Sequence, residues 1–294
     1  MTSLKRKDFR LHMLLGLGQT AQVYLAEAPD GQKVALKLPR KEVRQDPRLA
    51  ERFAREVSLS LSLKHPHLVQ GLYGIPFGEE AFLALEYLEE GTLEERLLKG
   101  PLNQEEAMRA LLQVGQALLF LHEKGFLHQD VKPSNVFVGK EGYKLGDLGT
   151  VRPLAEASLE YAGSPHYLAP ELFLGAKPSP KSDAYSFGVM AYELLVGKRP
   201  FRGETLEELR NAHLFLPPTP PSLPPRPAKA LRRPLATTPE ESLDLKGFIE
   251  TLEKPYRKKE GRKPHKSKGV TFWRKTMETI MIPNTKEVQA HKPH

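Results

Sequence analysis

Two glycines, Gly16 and Gly18, stand in the run Gly16-Leu17-Gly18-Gln19-Thr20-Ala21-Gln22-Val23, between two segments that read as strands. Glycine lets backbone N–H groups come close to an anion, and phosphate oxygens are the usual partner of such a loop. A dinucleotide-binding reading would need a helix directly after the glycines. Here the next element is a strand, and the one after it carries Val34-Ala35-Leu36-Lys37. The pattern is therefore a glycine-rich hairpin followed by a strand lysine. Thiol chemistry is excluded, because the 294 residues include no Cys; disulfides and thiolate metal sites go with it. A reducing, cytoplasmic location is the expectation.

Further along come His128-Gln129-Asp130-Val131-Lys132-Pro133-Ser134-Asn135, then Asp147-Leu148-Gly149, then Ala169-Pro170-Glu171. With the hairpin and the strand lysine, this succession over residues 10–253 resembles the eukaryotic-like, bacterial-type Ser/Thr protein kinase family, whose segments are H-R-D-x-K-x-x-N, D-F-G and A-P-E. The resemblance implies ATP with Mg²⁺, or Mn²⁺ in its place, and a protein substrate with a Ser/Thr acceptor. By the same resemblance Asp130 orients and deprotonates the hydroxyl, a task that needs hydrogen-bond reach more than a raised pKa. Lys132 neutralises the γ-phosphate during transfer. Asn135 and Asp147 are the implied metal ligands, hard oxygen donors of the kind Mg²⁺ prefers. Lys37 takes the place of the lysine on the α/β-phosphates, with Glu56 as its carboxylate partner. Leu15, Gly16 and Gly18 begin the nucleotide site. Val23 and Ala35 are its roof and Phe137 its floor. Glu86 to Leu88 offer backbone to the base, behind Leu85 as gatekeeper. Gly163-Ser164-Pro165-His166-Tyr167 is the segment that meets the acceptor, and Asp183 is the buried brace of the catalytic loop.

Several positions depart from the family pattern. Gln129 replaces the arginine that pairs with a phosphorylated loop residue, so that charge-assisted bond is not available and control by a single loop phosphate is disfavoured. Thr150, Ser158, Tyr161 and Ser164 remain as acceptors near the cation Arg152. Ala21 replaces a third loop glycine, with ATP binding expected to survive. Ser60, one turn after Glu56, stands where a larger apolar residue often supports the helix. Weak packing there is expected to let Glu56 swing away from Lys37, so that activity depends on an activating partner or a dimer. Ser242 replaces the arginine that would pair with Glu171, leaving Arg232 or Arg233 for that role. Two other readings compete. One is a pseudokinase or scaffold on the same fold. The other is a small-molecule kinase of the aminoglycoside-phosphotransferase type, which lacks A-P-E and the lysine two after the aspartate. Lys37, Glu56, Asp130, Asn135 and Asp147 are all present, which favours the active protein kinase.

Strand patterns cover 11–15, 22–28 and 33–38, with Pro29-Asp30-Gly31 as a hairpin turn. A helix over 48–64 stops at His65-Pro66, and 69–87 is strand-like around a turn at 77–80. Helices are expected over 92–99, over 103–124 with Asn103 as N-cap, and over 182–196 before Gly197. This is an α+β, bilobal arrangement: a small β-rich lobe over 10–88, a larger helical lobe over 89–253, and a cleft between them. Seven prolines between 217 and 227 make an extended loop.

The formal charge of +8 suggests an anionic partner until it is divided along the chain. Residues 254–294 hold 12 Lys/Arg and 3 Asp/Glu, a net of +9, which leaves 32 and 33, a net of −1, for residues 1–253. The excess belongs to a tail, expected to be flexible and able to touch an acidic partner, nucleic acid or anionic lipid. If 270–282 instead packs on the domain, Phe272, Trp273, Met277, Ile280 and Met281 are the residues that would anchor it. The first nine residues read as a short leading segment with no secretory signal. The longest apolar stretches fall short of the roughly 20 residues that span a bilayer, so a soluble protein without a transmembrane segment is expected.

Overall fold

The computed structural model describes residues 4–156, 163–219, 231, 235 and 245–250. Expectations for Ser158, Tyr161, Arg232, Arg233, Ser242, the proline-rich loop beyond residue 219 and the tail over 254–294 lie outside the described residues. The chain divides into two compact units, Met1–Leu252 and Glu253–His294, and every described residue lies in the first.

The N-terminal part is one antiparallel sheet. Its strands are β1 (Arg10–Leu17), β2 (Ala21–Glu27), β3 (Lys33–Pro39), β4 (Gly71–Ile75) and β5 (Phe82–Glu86), in the order β1-β2-β3-β5-β4. The turn between β2 and β3 follows from its residues: Gly31 adopts φ 82°, and the Asp30 carboxylate accepts the Gln32 N–H at 3.0 Å. Alternation along β3 then sorts the side chains. Val34, Leu36 and Leu38 enter a core with Phe9, Ala26, Ala28, Phe82 and Ala84. Ala35 and Lys37 point the other way, opposite Leu25 and Val23 on β2 and Leu85 and Leu83 on β5. A one-residue slip would turn the lysine into the apolar core, away from its carboxylate partners, so the apolar pattern fixes the register.

Two helices follow β3, the short α1 (Lys41–Gln45) and the longer α2 (Pro47–Ser62). Asp46 caps α2 by accepting from the N–H groups of Arg48 and Leu49, and Pro47 occupies its first turn. Val43, Phe53 and Val57 pack with Ala81 and Leu83, joining both helices to the sheet.

The second part is mainly helical. It contains α3 (Leu93–Leu98), α4 (Gln104–Glu123), α5 (Pro170–Phe173), α6 (Pro180–Val196) and α7 (Leu206–Phe215). Asn103 and Glu106 form the capping box that starts α4. The central helix α6 is apolar almost all round, as an interior helix must be. It starts two residues earlier than its hydrophobic pattern suggests, because Ser179 caps it and Pro180 suits its first turn. Gly115 of α4 allows close packing: a Cβ there would lie 3.3 Å from Phe187 of α6 and 2.6 Å from Ile249, in the helical stretch over 245–250.

Two small ribbons position the loops that matter. Strand β6 (Phe126–Leu127) ends immediately before His128 and pairs with β9 (Arg152–Pro153). The hairpin of β7 (Val136–Gly139) and β8 (Gly142–Leu145) starts after Asn135 and ends two residues before Asp147. Val136 pairs with Leu145, and Gly146 donates to the Asn135 carbonyl at 2.8 Å. Asn135 and Gly146, eleven apart in sequence, are thus brought side by side.

Candidate active site

A cleft of about 1020 Å³ lies between the sheet and the helical part, at the upper end of typical small-ligand sites. Leu15, Gly16, Gly18, Val23, Ala35, Lys37, Glu56, Glu86, Leu88, Asn135, Phe137 and Asp147 all line it, as does Leu85. Asp130 and Lys132 sit beside it, bonded to Asn135 and to each other. A Cβ at Gly16 would meet no protein atom within 4 Å, so internal packing is not what requires a glycine there. The open space above that backbone is where an anionic ligand can approach.

On the sheet side, the Lys37 ammonium donates to Glu56 at 2.5 Å and to Asp147 at 3.2 Å. Side-chain exposure is 15% for Lys37, 6% for Glu56 and 40% for Asp147, so the pair is buried and the aspartate opens to the cleft. Burial by itself would lower the lysine, but Asp147 and Glu56 more than offset it and hold Lys37 above its ordinary value. Burial pushes Glu56 up from the usual carboxylate range, with Lys37 opposing. The ammonium beside Asp147 brings that carboxyl down to about 2, against the opposing effect of burial. Asp147 is therefore ionised at neutral pH.

The opposite side is a loop held from below. Asp183 of α6 accepts the backbone N–H of His128 and of Gln129, each at 2.8 Å, and lies 2.9 Å from His122 Nε2. Gln129 and Asp147 are the two non-glycine residues with left-handed backbone among those described, at φ 68° and 54°. Such conformations persist only where the surroundings impose them, and they gather at functional sites. Asp130 Oδ2 receives Asn135 Nδ2 at 2.9 Å and Lys132 Nζ at 2.8 Å, while Oδ1 receives the Ser164 N–H at 3.0 Å. With two lone pairs per oxygen, Oδ1 retains acceptor capacity for a substrate hydroxyl. Asn135 uses its amide nitrogen on Asp130, which leaves its carbonyl oxygen for another partner. That oxygen and the ionised Asp147 make a hard oxygen donor set, and it fits a divalent cation such as Mg²⁺. The segment over 163–167 is tied to α6 through Tyr167, whose hydroxyl donates to Glu193 at 2.5 Å and whose carbonyl accepts from Ser186 at 2.7 Å.

Two expectations need correction. Ser60 does not leave a gap. It is buried against β4, where a Cβ on Gly71 would come within 2.7 Å of the Ser60 backbone and one on Gly74 within 2.7 Å of Val57. Small residues on both sides allow close approach, and α2 is seated with Glu56 on Lys37. Thr150 is not an available acceptor: it is buried and its hydroxyl donates to the His128 carbonyl at 2.8 Å. Two further groups have no signature in the sequence. Lys144 of β8 makes two 2.8 Å bonds to the Glu86 carboxylate, which also accepts the Gln70 N–H, so the Glu86 side chain ties the end of β5 to β8. Arg52, one turn before Glu56, donates to the Gly149 carbonyl at 2.6 Å.

A β-rich lobe carrying the Lys37–Glu56 pair, facing a helical lobe that presents Asp130, Asn135 and Asp147 across one cleft, defines a phosphoryl-transfer fold. Residues 9–253 match the protein kinase domain, and the chain belongs to that family. It is similar to the serine/threonine-protein kinase pkn2 of Myxococcus xanthus, 36% identical over 224 residues, covering 72% of this chain and 27% of the relative. PrkC of Bacillus subtilis (strain 168) is 34% identical over 216 residues, 70% of this chain and 33% of the relative. PknA of Mycobacterium tuberculosis is 36% identical over 233 residues, 74% and 54%. The chain thus spans about a quarter to a half of the length of these curated relatives. The family implies ATP with a divalent metal. Among the described residues, no helix is long and apolar enough to cross a membrane.

Proposed function

We propose that the chain transfers the γ-phosphoryl group of ATP to Ser/Thr hydroxyls of protein substrates, with Mg²⁺ as the metal. The carrying observation is the joined polar set, in which Lys37 bonds both Glu56 and Asp147 while Asp130 bonds Asn135 and Lys132. In this reading Asn135 and Asp147 hold the metal, which neutralises phosphate charge when bound. Lys37 contacts the α/β-phosphates, Asp130 Oδ1 accepts the hydroxyl proton, and Lys132 faces the transferred group. Leu15, Gly16, Gly18, Val23, Ala35, Leu88 and Phe137 enclose the nucleotide, and Glu86 orients the strip that meets its base.

The same reading takes residues 10–253 as the catalytic domain and 254–294 as a basic segment that contacts an acidic partner. It also takes the protein to be cytoplasmic. Radiolabelled ATP with Mg²⁺, given to wild type and to Asp130→Asn with a generic basic protein, tests it. Loss of a general base costs roughly 10²- to 10⁴-fold, so the variant's transfer should fall within that range while nucleotide binding persists. Equal label in both proteins, or none in either, would favour a binding module on the same fold.

A further inference from the structure

We infer that Arg52 is a positioning residue for the metal-binding carboxylate, acting through the backbone of Gly149. The inference rests on the proposed kinase reading and assigns Arg52 a part in it. Arg52 and Glu56 are four apart on α2 and so share one face of the helix. Glu56 fixes Lys37, which reaches Asp147 from the sheet side. Arg52 reaches the same loop two residues later, where its Nε donates to the Gly149 carbonyl at 2.6 Å. One helical face therefore grips the Asp147-Leu148-Gly149 turn at both ends.

That turn needs holding. Asp147 has φ 54° without being glycine, a left-handed conformation that is uncommon for residues with a side chain, although aspartate adopts it more readily than most. The turn is also tightly filled, since a Cβ on Gly149 would lie 3.1 Å from Glu56 Oε2 and 3.3 Å from Asp147 Oδ1. A small rotation at Gly149 would therefore disturb both carboxylates. Arg52 lines the cleft and bonds to a neutral carbonyl, so its bond fixes backbone geometry and does not neutralise the metal-binding charge. Arg55, three residues on, pairs with Glu156 at 3.1 Å, but both side chains are well exposed and the pair lies outside the turn. It serves as the control.

The test separates metal-dependent from metal-independent nucleotide binding. ADP affinity is measured calorimetrically on the full chain, with and without Mg²⁺, for wild type, Arg52→Gln, Arg52→Lys and Arg55→Gln. Groups that orient a metal ligand typically contribute 10- to 100-fold in metal affinity or activity. Arg52→Gln should thus reduce the Mg²⁺-dependent gain in ADP affinity by about tenfold or more and leave metal-free affinity within about twofold. Arg52→Lys, which keeps one donor, should recover part of the gain, and Arg55→Gln should retain all of it. An unchanged gain in Arg52→Gln overturns the inference. So does an equal loss of metal-free binding, which would make Arg52 merely structural, or the absence of any recovery with lysine. Because binding is measured without turnover, a wild-type protein that binds ADP with Mg²⁺ but transfers nothing refutes the kinase reading and still decides the role of Arg52.

Discussion

Replacing Lys37 with Met should destabilise the protein in a way that depends on pH. The change leaves Glu56, whose side chain is 6% exposed, without the ammonium that bonds it at 2.5 Å. Breaking a buried pair by removing one partner costs about 3–5 kcal/mol. Asp147 is 40% exposed and admits water to one side of the site, so the lower end, about 3 kcal/mol at pH 8, is expected. Glu56 is already raised by burial in the wild type, and losing Lys37 beside Asp147 raises it further. A folded-state pKa above the unfolded value of 4.5 means the folded protein holds a proton that the unfolded chain releases. Stability then falls as pH rises between the two values, by up to about 1.4 kcal/mol per pH unit. Asp147 has the opposite sign: its stabilisation by Lys37 is present above the unfolded value of 3.8 and is lost as pH falls through about 2. It is therefore constant between pH 5.5 and 8. The Lys37→Met penalty should shrink from about 3 kcal/mol at pH 8 to about 1 kcal/mol at pH 5.5. Adding Glu56→Gln should restore about 2 kcal/mol at pH 8, because a neutral amide needs no cation. Urea unfolding followed by far-UV circular dichroism measures all three quantities. Equal penalties at the two pH values, or further loss on adding Glu56→Gln, would refute the reasoning.

Two other substitutions probe how α2 and the cleft are held. In Gly71→Ala the new methyl meets Ser60 backbone atoms at 2.7 Å, and backbone cannot yield as a side-chain tip can. A loss of about 1–3 kcal/mol is expected, with kcat/KM reduced about tenfold as Glu56 moves from Lys37; urea midpoints and initial rates check both, and full activity would mean that α2 has slack. Lys144→Met removes both 2.8 Å bonds to Glu86, and these side chains are only 18% and 21% exposed. About 1–2 kcal/mol of stability should go, with a several-fold rise in KM for ATP, whereas Glu79→Gln, which breaks the pair with Arg44 at a carboxylate that is 76% exposed, should change neither measurably.

What was legible in the sequence was whatever a local pattern can encode. The strand pattern over 33–38 is β3, and Asn103 as N-cap starts α4 where the sequence puts it. The fourteen residues that the ordered motifs single out all come to one cleft or its edge. Less was visible where an element is short or its boundary depends on a cap, as with α1 and the early start of α6. Ser60 departs from its expectation for a different reason. The significance of a small residue depends on its partner, and Gly71 lies on another element. The Arg52 and Lys144 bonds join residues 97 and 58 apart, separations that no periodicity records.

The site divides by what holds each group. Asp183 fixes the backbone at His128 and Gln129 from α6, and the His128 ring links the two carboxylate loops: Nδ1 lies 3.3 Å from the Asp130 N–H and Nε2 3.1 Å from the Gly146 carbonyl. An N–H must donate to each bond, so Nδ1 accepts, Nε2 donates, and one neutral ring sets the spacing of Asp130 from the turn that carries Asp147. Lys37 and Glu56 have no comparable attachment to α6. They belong to β3 and α2, and among the described residues they meet the helical lobe's half through Asp147, with Arg52 on Gly149 beside them. The loop carrying Asp130 is therefore built into the helical core, whereas Lys37 keeps its bond to Glu56 only while α2 is seated. A kinase reading of this chain makes the seat of α2, formed by Ser60 on Gly71 and by Arg52 on Gly149, the place where activity is most easily lost.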